Sequence, residues 1–136
     1  MKSKISSGVS ALGVMFVLVM LAVFTSSLPT AEAASSPAMK EMATIMHRLK
    51  HFPSPSGKEA LRRIINNSAT SKNERVLATA MLNLQHHAME EDKVKLKAMM
   101  EDKNASADER DLAHIIYNLE HRPTDEDKAR LSKMMQ

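Results

Sequence analysis

The sequence predicts an all-α fold of three tandem antiparallel helix hairpins, with six short helices stacked as a small solenoid. Two observations predict it: a 35-residue internal repeat and apolar residues at helical spacing within each repeat. Shifting the chain by 35 places superposes Leu49, Leu84 and Leu119, and the register holds through both apolar and loop positions. Such a period indicates a repeat architecture. The three repeats span approximately residues 36–70, 71–105 and 106–136.

The first helix of each repeat is indicated by its start signals and its apolar stripe. Ser36-Pro37 supplies a capping residue and a first-turn proline, and Ser71 and Ser106 each precede a Glu by three residues, as in a capping box. Apolar residues then follow at i, i+3, i+4 and i+7, the pattern of an amphipathic helix. The stripe comprises Met42, Ile45, Met46 and Leu49, then Leu77, Ala80, Met81 and Leu84, then Leu112, Ile115, Ile116 and Leu119.

The second helix of each repeat opens at Ser54-Pro55, at Met89 and at Thr124. Acidic residues come first and basic residues later in the second and third copies, an order that suits the helix macrodipole. A short hairpin cannot bury its apolar face alone, so the three must stack into one core. Small residues recur at one position of the first helices, where close crossing is expected: Ala43, Ala78 and Ala113.

The first 33 residues predict a secretory signal peptide, and residues 34–136 the helical repeat domain. Lys2 and Lys4 precede an apolar stretch of about 16 residues, and the small-residue triplet Ala31-Glu32-Ala33 marks a cleavage site. A spanning helix needs about 20 apolar residues. We therefore expect a periplasmic or secreted protein with no stable membrane insertion after cleavage.

Composition excludes several classes of function. The chain has no Cys, which excludes disulfide scaffolds, thiol enzymes and Cys-based metal sites. A formal charge of +3 with 3% aromatic residues does not indicate nucleic-acid binding. Gly57 is the only glycine after residue 33, so phosphate-cradling and nucleophile-elbow motifs are absent from the sequence. We expect a non-catalytic protein.

The paired-helix repeat resembles the architecture of tetratricopeptide-type helical hairpins. The resemblance covers Pro37 to Gln136, but the Trp, Gly and Tyr positions of the tetratricopeptide signature are absent. It implies a groove for a peptide or partner protein, and it transfers no binding residues. We therefore expect a protein-binding or peptide-binding accessory factor. Chaperone-like activity through a flexible, Met-rich surface is a third hypothesis, and no motif supports it.

Histidines provide the alternative hypothesis, a periplasmic metal-binding or metal-stress protein. Imidazole suits Cu, Ni and Zn, whereas most of the methionines occupy core positions. Repeat-equivalent histidines are expected to cap helix ends, and a helix–helix spacing of about 8–10 Å would keep them from sharing one ion. More plausible pairs for a single ion are His47 with His51 on one helix face, and His86 or His87 with a neighbour from another helix. His114 and His121 are seven residues apart on the same side of the chain. The candidate ligands are His47, His51, His86, His87, His114 and His121.

The last helix is expected to leave an apolar end, because no polar capping helix follows it in this sequence and repeat arrays usually need one. A second copy of the chain or another protein would then cover it, so a homodimer through the C-terminal helix is one expectation. The predicted interface residues are Leu131, Met134 and Met135.

Overall fold

The computed structural model describes residues 34–136. The predicted signal peptide, residues 1–33, lies outside the described residues. Within residues 34–136, no helix is both long enough and apolar enough to cross a membrane.

Six α-helices account for the regular structure of the described residues, and the all-α class is confirmed. Equivalent helices start 35 residues apart, so the structure keeps the period of the sequence. The first helices of the repeats are α1 (Pro37–His47), α3 (Lys72–Leu82) and α5 (Ala107–Tyr117), and the second helices are α2 (Pro55–Asn66), α4 (Glu90–Glu101) and α6 (Asp125–Met134).

The predicted helix starts are confirmed in atomic detail. Ser36 accepts a hydrogen bond from the backbone N–H of Met39, and Pro37 occupies the first helical position. Complete capping boxes form at the starts of α3, α5 and α6. Each box satisfies two backbone donors that the helix itself leaves unpaired. The helix α4 differs, because its N-cap Met89 offers no side-chain hydrogen bond.

The stack of hairpins closes on itself, which the sequence did not predict. The helix α2 packs extensively against α3, α4 packs in the same way against α5, and α6 packs against α1. The first helices α1, α3 and α5 also contact one another. The third repeat therefore contacts the first as well as the second, and every repeat has two neighbours.

Closure shows that the expected exposed apolar end is wrong. Leu131 is 0% exposed and Met134 2% exposed, both within the chain's own core, and Met135 is partly buried against that core. The end of the stack packs against α1 of the same chain rather than against a second copy. Leu131 and Met134 are therefore not available as a docking surface for a partner.

The core repeats three times around the closed stack. Ala43, Ala78 and Ala113 are each 0% exposed, consistent with the mutual contacts of the first helices. Two leucine positions and one position held by Ile or Met also belong to the shared core. These residues are Leu49, Leu84 and Leu119; Leu61, Leu96 and Leu131; and Ile64, Met99 and Met134, all buried.

Polar contacts between neighbouring repeats tie together the starts of the first helices. The hydroxyl of Ser36 donates to Glu74 Oε1, and the hydroxyl of Ser71 donates to Glu109 Oε1 of the next repeat. The N-cap of one first helix therefore contacts the capping-box glutamate of the following one. In the first repeat, the position equivalent to Glu74 and Glu109 is occupied by Met39, which is buried.

Closure makes a stability prediction that an open array does not. Met134→Ala should lower the free energy of unfolding by about 2–5 kcal/mol, since Met134 belongs to the core of the closed stack and its truncation leaves a cavity there. The control Val94→Ala, at a position 72% exposed, should change it by about 0.5 kcal/mol or less. Urea unfolding followed by circular dichroism measures both. Equal midpoints for the two variants would contradict closure.

Candidate functional site

Six positions carry the same residue in all three repeats, and the fold explains four of them. These four are the N-cap serine and the alanine and two leucines of the core. The other two are a loop histidine and a lysine of the second helix, neither of which is buried. The lysines are half-buried, and two of them pair with an acidic residue three positions earlier in the same helix. The histidines are exposed, and because packing does not constrain exposed positions tightly, their identity indicates a role for the side chains. The two sets are His51, His86 and His121, and Lys58, Lys93 and Lys128.

The three loop histidines, here called the histidine triad, meet at the surface. The ring centroids of His51 and His86 are 5.3 Å apart, those of His86 and His121 are 5.3 Å apart, and those of His51 and His121 are 6.0 Å apart. The predicted separation of about 8–10 Å is therefore wrong for these rings. Closure of the hairpins turns their loops toward one another, whereas the prediction assumed a linear stack.

The loop backbone holds two of the three histidines in a costly conformation. His86 has φ 72° and His121 has φ 71°, values that favour glycine over residues with a Cβ. The N–H of Arg122 donates to the carbonyl of Glu120 at 2.9 Å, which closes a γ-turn around His121. The N–H of His121 also donates to the carbonyl of His86 at 2.8 Å and joins the second and third loops.

The triad does not cap the first helices, contrary to expectation. Those helices end earlier, and the capping residues are Arg48, Asn83 and Asn118. Because α1 ends at His47, His51 lies in a loop, and the expected pairing of these two on one helix face is wrong.

The other three histidines, His47, His87 and His114, are not members of the triad. His47 ends α1, and His114 is an exposed residue of α5. His87 is exposed and shares a depression of about 480 Å³ with His86, His121, Lys93 and Tyr117, but its ring is not stacked with those of the triad. Among residues 34–136, no group of three or more His, Asp or Glu side chains has the placement to hold a metal ion as the rings stand.

Lys93 lines the same depression as His86 and His121, and its pKa is raised, which favours the charged form. Its Nζ donates to Glu90 Oε1 at 2.8 Å. This hydrogen bond, more than the charge itself, lowers the pKa of Glu90 and raises the pKa of Lys93. Lys93 also lies 6.0 Å from the centroid of the Tyr117 ring, within cation–π range.

A second candidate site is an apolar groove between α1 and α2, here called the first-hairpin groove. It encloses about 760 Å³, and its lining includes Ile45, Leu49, Phe52 and Ala60. Phe52 is 56% exposed, with Lys58 Nζ 5.5 Å from its ring centroid. His51 lines the groove as well, so the groove adjoins the triad.

Two small residues open the groove. Gly57 and Ala60 correspond to Asp92 and Lys95 of the second repeat and to Asp127 and Arg130 of the third. In the second repeat Asp92 is buried and accepts a hydrogen bond from Asn83 Nδ2 at 3.0 Å.

The loss of these larger side chains leaves Ile45 only partly buried, although its counterparts Ala80 and Ile115 are fully covered. Sequence reasoning missed this groove. The departures from the repeat at positions 52, 57 and 60 are the signal that could have found it.

Comparison of the chain with protein-family models, curated proteins and solved structures found no match.

The triad's backbone geometry generates a prediction. His86→Gly and His121→Gly should leave the free energy of unfolding unchanged or raise it by up to about 1 kcal/mol, because glycine adopts positive φ without steric cost. His86→Val should lower it by about 1–3 kcal/mol. Urea unfolding of the three variants tests this. Strong destabilisation by both glycine variants would show that the histidine side chains are structural.

Proposed function

We propose that this chain is an exported, non-catalytic protein that binds an acidic peptide segment through the first-hairpin groove. One observation carries the proposal: Gly57 and Ala60 replace the larger side chains of the other repeats and open an apolar surface beside the exposed Phe52. The tetratricopeptide-like architecture is consistent with this role, but fold-level analogy carries little weight by itself.

The size and lining of the groove suit one bulky apolar side chain of a partner. Ligand pockets span about 300–1,000 Å³ and are mostly apolar with a few polar groups, and the groove volume of about 760 Å³ falls within that range. Leu49 and Ala60 are buried beneath it, whereas Ile45 and Phe52 keep exposed surface. A Leu or Phe side chain of the partner would cover that surface.

The charges around the groove favour acidic residues on either side of that anchor. Arg48 and Lys50 are exposed at its rim. Arg63 is paired with Glu41, with Arg63 Nη2 3.1 Å from Glu41 Oε1, so these two charges largely offset each other. Glu59 is the remaining acidic residue of the lining. The excess of positive charge would attract a segment that carries Asp or Glu.

The groove can be closed with residues that the fold already accepts. Gly57→Asp/Ala60→Lys installs the residues of the second repeat. The new Asp lies three residues after the N-cap Ser54, the position of Asp127 in the capping box of α6. A Cβ at Gly57 would lie 3.2 Å from the hydroxyl of the N-cap Ser54 and 3.3 Å from Ile45 Cγ2. Because Ile45 is only partly buried, it has room to shift, and we expect the double variant to remain folded.

Fluorescence anisotropy with a labelled peptide tests the binding. The probe is a short peptide with a central Phe flanked by Asp and Glu residues, and its matched control has Ala in place of Phe. We expect the wild-type domain to bind the Phe peptide and Gly57→Asp/Ala60→Lys to weaken that binding about tenfold or more, a loss of about 1.4 kcal/mol. Val94→Ala, on exposed α4 surface, leaves the net charge unchanged as the double variant does, and it should leave binding unchanged. Equal binding by all three proteins, or none by the wild type, would contradict the proposal.

Export makes a separate prediction. In a bacterium that expresses the full chain, the protein should accumulate in the periplasm with Ala34 as its first residue, because the Ala31-Glu32-Ala33 triplet precedes it. Intact-mass measurement of the periplasmic fraction identifies the terminus. Ala33→Arg should retain the uncleaved form, and cleavage of that variant at the same bond would argue against the assigned site.

A further inference from the structure

We propose that the histidine triad binds one divalent transition-metal ion, with one imidazole nitrogen from each repeat. The proposal is independent of the first-hairpin groove and of what that groove binds. It rests on the approach of the three rings, on their exposure and on the recurrence of histidine at a position where the fold does not require it.

The spacing of the rings matches that of a three-imidazole site. Metal–nitrogen distances of about 2.0–2.1 Å and tetrahedral angles place the centroids of neighbouring ligand rings about 5.2 Å apart. The triad has centroid separations of 5.3, 5.3 and 6.0 Å. A metal ion at the centre would therefore need only a small contraction between His51 and His121.

Coordination would require the rings to turn, because their ligand atoms do not yet converge on one point. All three side chains are exposed, and exposed side chains change rotamer within picoseconds to nanoseconds. The backbone, in contrast, is held by the hydrogen bond from His121 N–H to the carbonyl of His86. The loops would thus keep the three rings within reach of one another while the imidazoles adjust.

The backbone conformation gives a second, independent reason to assign a role to the side chains. Positive φ at a residue with a Cβ costs about 1–3 kcal/mol and concentrates at functional sites. His86 and His121 both adopt it, whereas glycine would adopt it without steric cost. Repeated use of histidine there favours a function for the ring.

The donor set selects the class of metal. Three neutral imidazoles without thiolate suit Zn²⁺, Ni²⁺ and Cu²⁺ rather than Mg²⁺ or Ca²⁺, which prefer oxygen ligands. Three protein ligands also leave one tetrahedral position open to water or to an external ligand. The site would lie at the surface, where such a ligand has access.

The test is titration of residues 34–136, which contain the complete closed core, with Zn²⁺ alone. Isothermal titration calorimetry should show one ion per chain, and ring resonances of His51, His86 and His121 should shift in NMR spectra. His51→Gln, His86→Asn and His121→Asn should each weaken binding about tenfold or more, since loss of even an outer-shell partner costs about 10–100-fold. Asparagine is chosen for positions 86 and 121 because it tolerates positive φ.

His87→Gln is the matched control, because His87 neighbours His86 in sequence and is exposed but lies outside the triad. It should bind Zn²⁺ as the wild type does, and so should Gly57→Asp/Ala60→Lys, which separates this proposal from the groove. Absence of stoichiometric binding by the folded wild type would overturn the proposal. An equal loss in His87→Gln, or unchanged binding in the triad variants, would also overturn it.

Discussion

The packing of α6 against α1 is the contact on which the rest of the structure depends. It gives the third repeat the same kind of neighbour that the other two have, and Leu131 and Met134 of α6 are buried in the core. Without it, three short hairpins would leave an apolar face exposed at each end of the stack, and repeat arrays usually need polar caps for that reason. With it, the small domain covers its own core within residues 34–136.

Closure also decides what lies at the two ends of the first helices. At their starts, hydroxyls and carboxylates join neighbouring repeats, as in the contacts of Ser36 with Glu74 and of Ser71 with Glu109. After their ends, the three loops approach one another, and a hydrogen bond from His121 to His86 joins two of them. The first end is explained by helix capping. The loops after the first helices bring exposed imidazoles together, and they hold His86 and His121 at positive φ, a conformation that costs free energy. A function is therefore more easily assigned to this end.

The repeat provides an internal comparison that separates fold from function. Where the three copies agree at buried positions, as at Leu61 and its counterparts, packing explains the agreement. Agreement at an exposed position, as for the histidine triad, needs another reason. Departure also carries information, because Gly57 and Ala60 differ from their counterparts and open an apolar groove in the first hairpin alone. The two candidate sites were found by opposite criteria, and His51 contributes to both.

The sequence by itself determined the all-α class, the 35-residue period, the helix starts and most of the core, because capping residues and apolar spacing act locally within each helix. Only the tertiary structure decided that the stack closes, since the contact between α6 and α1 joins segments far apart in the chain and leaves no local signal. Because the stack closes, Met134 is buried rather than exposed, and the rings of His51, His86 and His121 lie closer together than a linear stack predicts. The groove likewise required the structure, because a missing side chain matters only where neighbouring helices fail to fill its space.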